Sequence, residues 1–226
     1  GIEVRFIDPD HPEQIAQHAD ERTKLVFGET IGNPAINVLD IPAFAKAAHA
    51  QGLPLIIDNT VASPAVARPI ELGADIVVES LTKYINGHGN SLGGAIIDGG
   101  KFDWTQSSRY SDLYTPDPHY HNISYVEHFE EKAYIAAVRV RQLRSTGASI
   151  SPFNAFLILQ GLETLPLRIE RHSSNALKVA EYLQTHPQVS WVNYPGLTDN
   201  PYHAIIDRDF SGLASGLLSF GIKGGK

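Results

Sequence analysis

Residues 53–80 read LPLIIDNTVASPAVARPIELGADIVVES. The stretch contains two apolar runs, 53–59 and 74–80, and the first is almost entirely apolar. Such a run is typical of a parallel strand that is buried on both faces. The residues between the runs, 63–73, predict a short helix. The whole stretch therefore predicts a strand, a helix and a second strand.

Similar patterns flank this unit on both sides. Asp40 is a residue type that begins helices, and Gly52 is one that ends them, so a helix is predicted between the two. Strands separated by helices indicate an α/β fold with a mostly parallel sheet flanked by helices. The further strands are predicted at 2–8, 24–30 and 93–98, and a short helix at 11–18.

The second half of the chain changes character. Residues 99–124 have no clear period and predict a long surface excursion rich in Tyr, His, Asp and Pro. Helices are then predicted over 126–145, from Ser151 and from Pro166, and strands at 189–196 and 216–224. We expect one large domain over 1–165 and the start of a smaller α/β domain over 166–226.

The composition excludes several classes of function. The chain has 226 residues, a formal net charge of −7, and no Cys or Met. An acidic chain without a basic run is a poor partner for nucleic acid. No apolar stretch reaches the roughly 18 residues that span a bilayer. The charged start GIEVRFIDPD is unlike a signal peptide, so we expect a cytoplasmic protein without a membrane partner.

Polar residues follow three of the predicted strands, at Glu29–Asn33, Asp58–Asn59 and Ser80–Lys83. Because sites form at the carboxyl ends of parallel strands, these groups are expected to converge. The glycines stand after Lys83 and not before it, so the pattern is not a phosphate-binding P-loop, and no GxGxxG opens a helix. The remaining role for the lysine is a nucleophilic amine that forms an imine with a carbonyl group.

An imine-forming lysine next to two hydroxyls suggests pyridoxal 5′-phosphate. The hydroxyls of Ser80 and Thr82 would bind the phosphate, and Lys83 would bind the aldehyde. Asp58, from the neighbouring strand, would face the pyridine nitrogen and keep it protonated, which makes the ring an electron sink. Each residue alone also has an ordinary explanation, since an Asp at a strand end is commonly a turn or capping residue.

Four segments, in this order, resemble the Cys/Met-metabolism family of pyridoxal-phosphate enzymes. They are ETIGNP (29–34), DNTVASP (58–64), SLTKYINGHG (80–89) and GASISPFNAFLILQGLETLPLRIERHSSNALKVAEYL (147–183). The resemblance implies the aspartate aminotransferase-like fold, fold type I. It also implies that 1–165 is the cofactor-binding large domain without its N-terminal part, and that the C-terminal domain is incomplete.

Within this family, GKFDW (100–104) and YTPDPHYH (114–121) resemble the O-acetylhomoserine sulfhydrylases. That resemblance implies replacement at the γ-carbon of O-acetyl-L-homoserine by sulfide or a thiol, giving homocysteine or methionine, and acetate. A cystathionine γ-synthase or γ-lyase activity on the same scaffold is the alternative. A second alternative is a non-catalytic fragment or assembly partner.

The resemblance also implies roles for single residues. Lys83 matches the lysine that holds the cofactor and moves protons once the substrate amine replaces it. Asp58 matches the partner of the pyridine nitrogen, and Ser80 and Thr82 match the phosphate ligands. Asn33 matches the asparagine near the ring hydroxyl.

The family further implies a homo-oligomer, a dimer of dimers. Its ring-stacking tyrosine would lie before residue 1, and its substrate-carboxylate arginine after residue 226. Ser151 and Pro152 are expected to begin a helix. No metal site is predicted, because His119 and His121 have no third ligand at a suitable spacing.

Overall fold

A four-stranded sheet forms the centre of the computed structural model, which describes residues 1–225. Neighbouring strands follow chain order, and the first three run parallel while the fourth is antiparallel to the third. The predicted α/β fold with a mostly parallel sheet is therefore confirmed. The strands are β1 (Val26–Glu29), β2 (Leu55–Asp58), β3 (Ile76–Ser80) and β4 (Gly94–Asp98).

Helices cover the sheet and make up most of the second half of the chain. The capping predictions are confirmed, because Asp40 accepts a hydrogen bond from the amide of Ala43 (3.1 Å) and Ser151 accepts one from Asn154 (3.1 Å). The helices are α1 (Gln14–His18), α2 (Ile41–Ala50), α3 (Ser111–Tyr114), α4 (Tyr125–Phe129), α5 (Ala133–Ala137), α6 (Arg144–Thr146), α7 (Pro152–Leu162), α8 (Leu165–Thr185) and α9 (His203–Asp209).

The two faces of the sheet are covered differently. Leu55 and Ile57 point from β2 into a closed core with α2. On the opposite face, Ile76 packs against a cluster of aromatic rings that includes Trp104 and Tyr110. That cluster covers only part of the face, since Phe27 and Ile96 remain 57% and 45% exposed.

A second core lies around α8, where Ile169 and Ala180 are fully buried. It also contains Ile31 and Ile158, from the first 165 residues, and Phe210, which directly follows α9. An antiparallel pair of strands closes this part of the molecule, β5 (Val189–Asn193) and β6 (Ser219–Ile222). The division into domains at residue 165 stays a prediction.

The strand predicted at 2–8 is wrong. Residues 2–8 form no strand, and Ile2 and Phe6 are 95% and 91% exposed. The alternating apolar pattern is real, but a strand needs a hydrogen-bonded neighbour, and within residues 1–225 this segment has none.

Two helix predictions are also corrected. The helix predicted at 63–73 is a series of turns, because Pro69 lacks the amide that a helix needs and the side chain of Asn59 binds the carbonyl of Ala67. The helix predicted over 126–145 is broken at Glu130, which has φ 50°. The break lets α4 pack beside α5 around the buried ring of Tyr125.

The excursion at 99–124 is packed against the rest of the molecule. Trp104 and Tyr110 are buried in the aromatic cluster, and the Tyr110 hydroxyl donates to the carbonyls of Lys24 and Gly52 (both 3.1 Å). No helix within residues 1–225 is both long and apolar enough to cross a membrane.

The buried side of β2 gives a test of this packing. Ile57 is completely buried between the sheet and α2, so Ile57→Ala is expected to lower the free energy of unfolding by about 2–5 kcal/mol. Val179→Ala, on the exposed side of α8, is the control and is expected to change it by less than about 0.5 kcal/mol. Denaturant unfolding measures both, and similar losses would contradict this assignment of the core.

Candidate active site at the carboxyl end of the sheet

Three parallel strands end at the same edge of the sheet and bring predicted site residues together. Glu29 of β1 is the register partner of Asp58 of β2, and Asp58 is the partner of Val78 of β3. Partners in adjacent strands face the same way, and so do residues two apart in one strand. Glu29, Asp58 and Ser80 therefore lie on one face, the one that the aromatic cluster leaves partly open.

A chain of hydrogen bonds connects the ends of β2 and β3. The amide of Thr60 donates to Oδ1 of Asp58 (2.9 Å), and the amide of Ser80 donates to Oγ1 of Thr60 (2.8 Å). Asp58 is thereby fixed through one oxygen. Within the described part of the chain, its Oδ2 has no hydrogen-bond partner and is available to a ligand.

Lys83 lies in a kinked helical turn, Leu81–Ile85, that begins directly after β3; we call it the Lys83 turn. The kink is at Lys83 itself, whose backbone angles (φ −90°, ψ −123°) are not helical. The turn is closed by the amide of Asn86, which donates to Leu81 (3.0 Å), and by that of Gly87, which donates to Lys83 (2.8 Å). The Lys83 side chain is exposed, and among residues 1–225 its Nζ has no hydrogen-bond partner. A fixed backbone thus presents a free amine.

The hydroxyl of Thr82 has a structural contact. It donates to the carbonyl of Gly93 (3.2 Å) and accepts from the amide of the same residue (3.1 Å). This pair of bonds ties the Lys83 turn to the start of β4. The predicted phosphate contact of Thr82 would require the hydroxyl to rotate away from Gly93, whereas that of Ser80 would not, since its hydroxyl has no partner within residues 1–225.

Asn33 stands at the mouth of this region, after β1. Its amide donates to Oε2 of Glu29 (3.1 Å), so Glu29 orients the loop that carries it. The Asn33 side chain is exposed, and the peptide bond to Pro34 is cis.

A buried polar network lies under the site, on the opposite face of the sheet. Thr30 donates to the Asn59 side-chain oxygen (2.7 Å), and the Asn59 amide donates to Oε1 of Glu79 (2.9 Å). Glu79 is only 6% exposed, and its Oε2 is buried without a partner within the described residues. Burial raises the pKa of Glu79 to about 7, the bond from Asn59 opposes the rise, and the charge of Asp58 adds to it.

Sequence reasoning missed the parts played by Thr30, Thr60 and Glu79. One signal was available for Glu79, since a carboxylate that follows an apolar run inside a strand needs a polar partner when it is buried. Thr60 could not be found in this way, because its contact depends on the register between β2 and β3.

The donor set fits pyridoxal phosphate. The cofactor needs an amine for its aldehyde, a carboxylate for its ring nitrogen and hydroxyl or amide donors for its phosphate. Lys83 offers the free amine, Asp58 the free carboxylate oxygen and Ser80 a free hydroxyl. Nowhere in residues 1–225 do three His, Asp or Glu side chains cluster in a way that could hold a metal ion.

The family model described as Cys/Met metabolism PLP-dependent enzyme matches residues 1–226. The chain belongs to this family. The chain is 49% identical to an O-acetyl-L-homoserine sulfhydrylase of Leptospira meyeri and 47% identical to a homocysteine synthase of Schizosaccharomyces pombe. Each match covers the whole chain but 53% of the relative, so the chain spans about half the length of these relatives.

Solved structures agree with this membership in the Cys/Met-metabolism family. A putative O-acetylhomoserine (thiol)-lyase of Campylobacter jejuni, which contains a pyridoxyl-lysine phosphate, has a TM-score of 0.91 and 41% identity over 96% of this chain and 52% of its own. An O-acetylhomoserine sulfhydrylase of Wolinella succinogenes has a TM-score of 0.85 and 38% identity over 99% and 61%. The expected fold type I is thereby confirmed.

Glu79 makes folding stability depend on pH. Its pKa is about 7 in the folded protein, against an ordinary value of 4.5, so the folded state holds this proton more strongly. The stability contributed by the bound proton is complete below about pH 4.5 and is lost as pH rises to about 7. Glu79→Gln cannot lose a proton, so its free energy of unfolding lacks this pH dependence. Between pH 4 and pH 8, the free energy of unfolding of the variant should rise by up to about 3 kcal/mol relative to that of the unchanged protein.

Denaturant unfolding across this pH range measures the difference. Glu71→Gln, at an exposed position, is the control and should show no such trend. A difference between Glu79→Gln and the unchanged protein that stays constant with pH would mean that folding does not change the pKa of Glu79.

Proposed function

We propose that this chain supplies the lysine, the ring-nitrogen carboxylate and part of the phosphate site of a pyridoxal-phosphate enzyme. The enzyme would catalyse γ-replacement on O-acetyl-L-homoserine. The single observation that carries the proposal is the hydrogen-bonded path from Asp58 through Thr60 to Ser80, which ends three residues before the free amine of Lys83. The names of the relatives support the choice of substrate.

The overall reaction exchanges one bond at the γ-carbon of the substrate. The carbon–oxygen bond to acetate breaks, and a carbon–sulfur bond to sulfide or a thiol forms. The proton lost by the sulfur nucleophile balances the carboxylate that leaves, so the products are acetic acid and homocysteine, or methionine when the donor is methanethiol. The bound cofactor supplies an electron sink for the negative charge that develops next to the α-carbon.

The residues of this chain hold the cofactor and move the protons. Asp58 would accept the hydrogen bond of the ring nitrogen through Oδ2, since Oδ1 is already fixed by Thr60. Lys83 Nζ would take the proton from the α-carbon of the substrate and return one when the product forms. Ser80, and Thr82 after rotation of its hydroxyl, would bind the phosphate, and Asn33 would lie on the hydroxyl side of the ring.

We also propose a homo-oligomer, a dimer of dimers, in the cytoplasm. Exposed apolar side chains on α7 support a contact with another subunit at this helix. Phe153, Phe156 and Leu159 are 68%, 55% and 58% exposed. Residues 1–165 would form the cofactor-binding domain and 166–226 the start of the smaller domain.

Product analysis separates this function from its alternatives. The protein is incubated with O-acetyl-L-homoserine and either sulfide or cysteine, and separately with cystathionine. Homocysteine formed only with sulfide supports the proposal, whereas cystathionine formed from cysteine supports a γ-synthase and cleavage of added cystathionine a γ-lyase. Protein that stays colourless after addition of pyridoxal phosphate supports a non-catalytic assembly partner.

Lys83→Ala is expected to abolish the visible absorption of bound cofactor and to lower turnover by at least about a thousandfold, because both the covalent link and the proton carrier are lost. Borohydride reduction followed by peptide mapping should find the cofactor on Lys83 in the unchanged protein. Lys46→Ala, at an exposed position of α2, is the control. Full activity of the Lys83 variant would end the proposal.

Asp58→Asn keeps an oxygen for the amide of Thr60 but removes the negative charge. Cofactor should then bind more weakly, and turnover should fall by about a hundredfold or more, because a ring nitrogen without a carboxylate is a poorer electron sink. Titration with the cofactor and steady-state kinetics measure the two effects. Unchanged values for both would remove Asp58 from the site.

A further inference from the structure

The guanidinium of Arg168, in the first turn of α8, binds the end of the Lys83 turn. Its Nη1 donates to the carbonyl of Tyr84 (2.8 Å), and its Nη2 donates to the carbonyls of Ile85 (3.3 Å) and Gly161 (2.8 Å). Its Nε donates to the hydroxyl of Thr164 (3.1 Å). One side chain thus joins the Lys83 turn, the end of α7 and the start of α8.

The two carbonyls of the Lys83 turn have no other partner within the described residues. The last carbonyls of any helical turn lack an intrahelical donor, and a buried one without a partner is costly. Arg168 supplies both missing donors through a rigid planar group. No carboxylate of residues 1–225 forms an ion pair with Arg168, and burial lowers the pKa of its guanidinium. Within these residues the guanidinium therefore donates its hydrogen bonds mainly to backbone carbonyls and forms no salt bridge.

Two glycines allow this close approach. A Cβ on Gly87 would meet the guanidinium of Arg168, with Nη2 at 2.9 Å, and a Cβ on Gly161 would meet the backbone of Asn86, with its Cα at 2.9 Å. Gly87 also has φ +72°, which favours glycine, and its amide closes the turn on the carbonyl of Lys83. The end of the turn is therefore closely packed against Arg168 and the backbone of α7.

We propose that Arg168 is a positioning residue for Lys83. It fixes the carbonyl end of the Lys83 turn, as the contact between Thr82 and Gly93 fixes its start, so that the amine reaches the substrate α-carbon in one geometry. The catalytic part of this inference rests on the proposed function, because it requires Lys83 to be the cofactor lysine. The structural part, that Arg168 orders the turn, does not.

Arg168→Lys keeps the charge but loses the planar fork, and a lysine cannot reach the three carbonyls together. The kcat is expected to fall by about tenfold to a hundredfold with a small change in KM, because a misplaced amine affects the proton transfer more than substrate binding. The amides of Asn86 and Gly87 should exchange with deuterium at least about tenfold faster, while those of β2 stay unchanged.

Arg171→Lys is the matched control. Arg171 lies three residues further along α8, its side chain is exposed, and within residues 1–225 its guanidinium has no hydrogen-bond partner. It should change neither the exchange nor the kinetics. Unchanged amide exchange in Arg168→Lys would overturn the inference, whatever the activity.

A second variant keeps the test valid if Arg168→Lys folds poorly. Gly87→Ala places a methyl group against the guanidinium and should accelerate exchange in the same turn. In the double variant, the shorter lysine relieves part of that clash, so its effect should be smaller than the sum of the two single effects. Strict additivity would contradict the proposed contact. Borohydride mapping to Lys83 distinguishes failure of this inference from failure of the proposed function.

Discussion

The parallel pairing of β2 with β3 is the constraint on which the rest of the site depends. This pairing sets Asp58 beside Val78. It thereby places Thr60 where its hydroxyl can accept a hydrogen bond from the amide of Ser80. A shift of one residue would turn Asp58 to the buried face and Asn59 to the open one. The same register gives Glu79 its amide partner on the opposite face, so one strand pair positions both the binding groups and the support beneath them.

The sequence identified the strands of the sheet and the candidate residues because their signals are local. Apolar runs, Asp40 and Ser151 as caps, and the order of Asp58, Ser80 and Lys83 can all be recognised without knowing the fold. The failures have the opposite character. The segment 2–8 has a strand pattern but no neighbour to pair with among the described residues, and pairing is a property of the whole sheet.

Contacts between distant parts of the chain were equally out of reach. The sequence placed Lys83 at a strand end but could not show that Arg168, 85 residues later, would bind its turn. The break at Glu130 in the predicted helix over 126–145 likewise depends on packing around Tyr125. Local helix propensity is weak compared with such tertiary contacts, so the long helix does not form as one continuous element.

The Lys83 turn combines an exposed side chain with a backbone held at both ends. An amine that must carry a covalently bound group and then move protons needs freedom at Nζ but not at Cα, because every unfixed backbone angle lowers the fraction of time spent in a reactive geometry. Thr82 contacts Gly93 at the start of the turn, and Arg168 binds the carbonyl of Tyr84 at its end. Both contacts restrict the backbone without touching the amine. Arg168 does not need to approach the substrate, so it can be changed without removing a group that carries out the reaction, whereas Thr82 would also serve as a phosphate ligand.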